Sequence, residues 1–332
     1  MTTDTLSDVL RLVRLRGAVF YHVSFGHEWA VEAPTAKEIA DAVIPGAEHV
    51  IEYHVLTKGR GWAAILGEPP VMLESGDIVM FPHGDAHVLS SAPGLRPSRM
   101  EPEWVYATRD DPKPIPVVFQ SLHEFSYGTP APESVSNVVC GFLGCDLRPF
   151  NPLIAALPHL LHLPATGGAA WIGQMLQQAV SASQDKRPGG EAMLERISEM
   201  MFVDAVRRHV ERLPEESTGW LAGLRDRQVG RALALLHDRP AHAWTIEALA
   251  NDVALSRSAF YDRFVGLVGQ PPMHYLTQWR MAVAATLLRQ SRAPVASIAL
   301  DVGYESEAAF TRAFKRQVGT PPGRWRRIQN GE

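Results

Sequence analysis

The chain has 332 residues, 46% of them hydrophobic and 20% charged, with a formal net charge of −4 and two cysteines, Cys140 and Cys145. That length suits about two domains, and the ordinary composition excludes a chain disordered throughout. Two cysteines exclude a disulfide-stapled secreted framework and make a reducing cytoplasmic compartment the expectation. The opening Met-Thr-Thr-Asp-Thr carries no cationic start before an apolar run, so no signal peptide is expected. The most apolar stretch, Leu153–Leu163, is broken by Pro158, His159 and His162, too short to read as a membrane span. The charge is unevenly placed: residues 225–332 hold 15 Lys/Arg against 9 Asp/Glu, a balance of +6, and residues 1–224 hold −10. A basic half joined to an acidic half is a cue for nucleic acid.

In chain order, Ser7–Val13 reads as a short helix. From about 17 to 150 come short apolar runs: Ala18–Tyr21, Val50–Val55, Ala63–Leu66, Asp77–Phe81 and Pro116–Phe119. Turn formers such as Gly59-Arg-Gly61 and Glu68-Pro-Pro70 lie between them. Short strands with frequent turns predict a sandwich or barrel. Ser181–Pro188 reads as a loop. Leu194, Ile197, Met201 and Ala205 then fall on one face of a helix from Glu191 to about Arg212. That stripe serves either a dimer contact or packing on its own barrel. Leu213–Gly219 is the expected interdomain joint. The division is therefore 1–212, a linker over 213–224, and 225–332, which is helical throughout.

The third zone contains a repeat. Thr245–Pro272 and Pro294–Pro322 align at a spacing of 49 before a turn (Ile246/Val295, Leu249/Ile298, Asp252/Asp301). After the turn the spacing is 50 (Ser256/Ser306, Phe260/Phe310, Phe264/Phe314). In each copy a short helix leads to a turn, a serine suited to cap a second helix, an inward Phe pair, and a Gly/Pro-Pro stop. This is helix-turn-helix anatomy, in which the second helix enters the major groove. The helix between the copies, about Met273–Leu288, spans roughly 24 Å at 1.5 Å per residue. Such a spacer can hold two recognition helices about one DNA turn apart.

Residues 226–327 resemble the DNA-binding domain of AraC/XylS-type transcription regulators. The second copy, Ile298 to Arg316 with Gly319-Thr-Pro-Pro322 and Trp325-Arg-Arg327, carries nearly the whole family signature. The resemblance implies two helix-turn-helix units joined by a long helix, double-stranded promoter DNA as partner, contact with RNA polymerase, usually activation, and a homodimer. On the first recognition helix the face opposite Phe260 and Phe264 carries Arg257, Ser258, Tyr261 and Asp262. By resemblance Ser258, Tyr261 and Asp262 read base edges; Asp262 either accepts from cytosine or pairs locally with Arg263 or Arg257. On the second, Glu307 and Ala308 lie at the groove-facing start, Arg312 suits guanine, and Thr311, Lys315 and Arg316 suit phosphates.

Gly76–His87 resembles the second cupin motif, and Glu52-Tyr-His54 sits where cupins carry His-x-His, without the glutamate that usually follows. The resemblance to cupin-type sensor domains of AraC-like regulators runs from about Leu6 through Leu163. The implied fold class is α+β: a cupin-like β-barrel with trailing helices, then an all-α double helix-turn-helix domain. His54 and His87 are candidate metal ligands; Cys140 and Cys145 either complete a tetrahedral zinc site, form a redox switch, or are small core residues. Trp29, Tyr53, Trp62 and Phe81 are candidates to line an effector pocket at the barrel mouth. No cofactor is expected for DNA binding. A metal-dependent cupin enzyme with a helical interaction module is the rival reading; the incomplete first motif argues against a catalytic metal.

Overall fold

The computed structural model describes residues 4–26, 28–119, 125–127, 134–165, 171, 174–176, 178–180 and 188–329. Apart from Pro188, the expected loop Ser181–Pro188 lies outside them.

Two compact units form. The strand-rich unit holds Arg14–Asp146 and Leu157–His209. Its larger sheet has seven strands in the order β10-β9-β1-β11-β3-β6-β12: β1 (Arg16–Phe25), β3 (His49–Lys58), β6 (Ile78–Phe81), β9 (Ile115–Phe119), β10 (Phe125–Tyr127), β11 (Ser136–Cys145) and β12 (Leu161–Leu163). The smaller sheet runs β5-β4-β7-β2-β8, from β2 (Ala30–Ala33), β4 (Arg60–Ile65), β5 (Val71–Glu74), β7 (His87–Ser90) and β8 (Ser98–Arg99). The two sheets bury one core, including Phe25, Ile39, Phe81, Phe119 and Phe142. Strand alternation sends every second side chain inward. On β11 this alternation needs Gly141, where a Cβ would overlap the Tyr53 phenol.

Helices α2 (Ala36–Val43) and α3 (Pro102–Ala107) belong to this unit, as does α5 (Gly190–Arg212) up to His209. Thr35 and Glu38 form a reciprocal capping box at the start of α2, satisfying two orphan amides. The stripe Leu194, Ile197, Met201 and Ala205 is buried within the unit. Ser198 on the same face donates to the Leu194 carbonyl at 2.8 Å and lies 2.5 Å from the Tyr53 hydroxyl. Of the two uses expected for the stripe, it therefore packs on its own barrel and is not free for a partner.

The helical unit holds Val210–Glu332 together with two distant pieces, Met1–Val13 and Leu147–Ala156. It is thus not contiguous in sequence. Its elements are α1 (Thr5–Val13), α4 (Pro152–Ala156), α6 (Trp220–Arg225), α7 (Arg227–Asp238), α8 (Ile246–Asp252), α9 (Arg257–Val268), α10 (Pro272–Gln290), α11 (Val295–Asp301), α12 (Glu307–Val318) and α13 (Pro322–Gln329). The repeat is realised almost residue for residue. Ser256 caps α9 by accepting from the Ala259 amide at 3.3 Å, and Ser306 caps α12 by accepting from the Ala309 amide at 3.2 Å. Both helices end at a left-handed glycine, Gly269 and Gly319, the usual C-terminal device. Among the described residues no helix is long and apolar enough to cross a membrane.

Candidate nucleic-acid interface and barrel cavity

Phe260, Phe264, Phe310 and Phe314 are fully buried, so each recognition helix is anchored by an aromatic pair at i and i+4. This fixes what the opposite face presents. On α9, Arg257, Ser258, Tyr261 and Asp262 are exposed; on α12, Glu307, Ala308, Arg312, Lys315 and Arg316 are exposed and Thr311 is half-buried. Tyr261 leaves 37% of its surface in solvent, so its ring is accessible on the outer face of α9. Arg257 pairs with Glu247 at 2.9 Å, and Arg263 grips Asp226, which also caps α7. Both local partners considered for Asp262 are therefore engaged elsewhere. The spacer α10 has 19 residues, about 28 Å at the usual rise, longer at both ends than the sequence reading.

In the strand-rich unit an apolar cavity lies between the sheets, lined by Phe25, Ile39, Phe119, Val138 and Phe142 among others, with Glu52, His54 and Cys140 as its polar wall. Its volume is about 50 Å³, room for one or two waters at about 30 Å³ each. Glu52 and His54 stand two apart on β3 and share a face, while Cys140 sits opposite His54 in the β3–β11 register. From the smaller sheet His87 reaches across: its Nε2 is 2.7 Å from His54 Nε2 and 4.0 Å from Glu52 Oε2. Ligand atoms of Glu52, His54 and His87 all lie within 4.8 Å of one another. Phe81 stacks on His87 at 3.6 Å and holds the ring in place.

Burial governs the electrostatics. It pushes the Glu52 carboxyl well above the usual range and holds His54 well below it, with His87 adding to the latter. His87 falls to about 4, again chiefly through burial, against the opposing pull of the Asp85 carbonyl and charge. That carbonyl lies 2.9 Å from His87 Nδ1, which places the proton on Nδ1 and leaves a lone pair at Nε2. Glu52 Oε1 and His54 Nδ1 are buried without hydrogen-bond partners. Orphaned buried acceptors are costly, and a divalent cation held there would satisfy them. Two imidazoles and one carboxylate form a three-ligand set that leaves coordination positions open.

Several expected site residues fall elsewhere. Cys140 and Cys145 are five apart on β11, roughly 17 Å along a strand, and their odd spacing puts them on opposite faces. They can neither share a zinc ion with His54 and His87 nor close a disulfide within the chain. Burial, helped by Glu52, pushes the Cys140 thiol well up, and burial pushes Cys145 up to about 12, which disfavours the thiolate that zinc or redox chemistry needs. Tyr53 points away from the cavity to Ser198. Trp62 lies on the outer face of the β4–β5 hairpin, in another depression. Trp29 and Phe81 are buried in the core behind the wall, Trp29 stacked on Phe25 at 3.9 Å. Glu52 is the residue that sequence reasoning quoted without using; its position two before His54 on one strand was the available signal.

A family model described as "Cupin" matches residues 4–211, and one described as "Helix-turn-helix domain" matches residues 249–328. Two Streptomyces proteins named as AraC-like transcription regulators are similar: that of Streptomyces lividans is 33% identical and that of Streptomyces antibioticus 32%, each over 98% of both chains. The HTH-type transcriptional regulator AlkR of Acinetobacter baylyi is 28% identical over 97% of this chain and 99% of its own.

Proposed function

The chain belongs to the AraC-like family of DNA-binding transcription regulators, and from that premise we propose that it grips promoter DNA with both recognition helices and is controlled by what the barrel cavity holds. The observation that carries the first part is the duplicated helix-turn-helix: two serine-capped helices, each anchored by a buried Phe pair, with polar and basic side chains on the outer face. Arg312 contacts guanine, Tyr261 and Asp262 read bases at the other half-site, and Lys315 and Arg316 neutralise phosphates. Binding through phosphates releases counterions, so affinity falls with salt.

The control site is the Glu52, His54 and His87 cluster. When bound there, a divalent metal supplies a charged anchor at the wall of an apolar cavity. The residues hold that anchor, while the apolar lining restricts what else can enter. A gel shift tests the DNA reading, using the full chain and duplexes from the flanking intergenic DNA. The full chain is needed because the helical unit draws on Met1–Val13 and Leu147–Ala156. Absence of a specific shift at any salt concentration contradicts it.

A further inference from the structure

The first helix-turn-helix is not closed by C-terminal residues alone. On α9, the Phe264 ring meets Tyr275 of α10 at 6.0 Å, edge to face. Tyr275 is fully buried. Its hydroxyl accepts from Trp220 Nε1 at 2.9 Å and lies 2.8 Å from His237 Nε2. The His237 ring stacks on Trp279 at 3.5 Å. These rings form the floor beneath the first recognition helix.

Two further groups reach that floor from far away in sequence. Phe150 sets its ring against Tyr275 at 5.3 Å and 88°. Asp8 of α1 brings a carboxylate oxygen to 3.7 Å from His237 Nδ1. With the Tyr275 hydroxyl donating to Nε2, the imidazole proton sits on Nδ1 and faces Asp8. That nitrogen is buried and has no hydrogen-bond partner. The second helix-turn-helix differs: among the described residues its hydrophobic cluster runs from Met281 to Trp325 and includes none from Met1–Val13 or Leu147–Ala156. The two outside groups also have a notable origin. Asp8 precedes β1, which begins at Arg16, and Phe150 follows β11, which ends at Cys145. These strands pair with each other, and β11 carries Cys140 of the cavity wall.

We propose that Asp8 and Phe150 are positioning residues for the first recognition helix: they brace His237 and Tyr275, and through Tyr275 the Phe264 face of α9, so that this half-site, but not the second, is read only while both segments are docked. The inference rests on the reading of both helices as DNA contacts. It also gives the strand-rich unit a covalent route to one half-site, through the ends of two strands beside the cavity.

The test is a hydroxyl-radical footprint of the full chain on a duplex selected by the wild type from a random library. Loss of protection in Tyr261→Ala and Arg312→Ala assigns the half-sites. Phe150→Ala and, separately, Asp8→Ala are expected to weaken protection of the Tyr261 half-site about tenfold while the Arg312 half-site stays at the wild-type level, with Phe150→Tyr restoring it. Equal weakening of both half-sites, or no change at either, overturns the proposal while leaving the DNA reading intact. A wild-type footprint without two half-sites overturns both.

Discussion

The turn between the helices offers a sharp test, because the two copies solve one geometric problem with different residues. Ala254 and Gly303 occupy equivalent positions, 49 apart, and both are left-handed, with φ of 58° and 81°. A non-glycine residue there costs roughly 1–2 kcal/mol. Gly303→Ala adds a methyl whose carbon would sit 2.7 Å from the Ala241 carbonyl oxygen and 2.8 Å from Ala241 Cα. Both are backbone atoms that cannot swing aside, and overpacking of this kind costs about 1–3 kcal/mol. The stiffer unfolded chain returns about 0.4–1 kcal/mol. The expected destabilisation is therefore about 2–4 kcal/mol. Ala254 is exposed, so Ala254→Gly loses no packing; relief of the left-handed strain outweighs the added chain entropy, and the expected gain is about 0.5–1 kcal/mol. Hydrogen exchange reads each copy locally: α12 amides should exchange faster in Gly303→Ala, and α9 amides slightly slower in Ala254→Gly. If Gly303→Ala protects α12 as well as wild type does, or Ala254→Gly destabilises α9, the turn geometry argued here is wrong.

Other consequences follow from the same structure. Arg312→Ala should cost about 1–3 kcal/mol of binding and relax choice at one base pair; equal loss on every sequence would place Arg312 on phosphate instead. Metal analysis should find a divalent ion in the purified full chain and lose it in His87→Ala and Glu52→Gln, whereas unchanged content in both removes them as ligands. His237 is held below its ordinary value of 6.5 by burial, against the opposing pull of Asp8. Its unfolded form therefore binds the proton more readily, so this contribution to stability is complete above pH 6.5 and is lost as pH falls through the folded value. Urea midpoints should drop over that window and drop less in His237→Gln; a midpoint that rises on acidification contradicts the assignment.

The helical half was legible because its signals are local. Caps at Ser256 and Ser306, Phe pairs at i and i+4 and the Gly/Pro-Pro stops each act within one or two turns of helix, and duplication repeats them. The barrel was harder to read. Period-2 alternation tells which residues share a face but not which face is inward, so Tyr53 and Trp62 were expected in the pocket while Glu52 was passed over. Cys140 and Cys145 lie close in sequence, but β11 runs through both and holds them apart on opposite faces. The docking of Asp8 and Phe150 on the helical unit has no sequence signature, since those contacts join residues more than a hundred positions apart.

The central claim is that two recognition helices address one duplex together, and the shortest route to it is a footprint of the full chain on a selected operator. Two protected major-groove segments about one helical turn apart, one erased by Tyr261→Ala and the other by Arg312→Ala, are the predicted result. A single protected segment that both substitutions erase alike would contradict it.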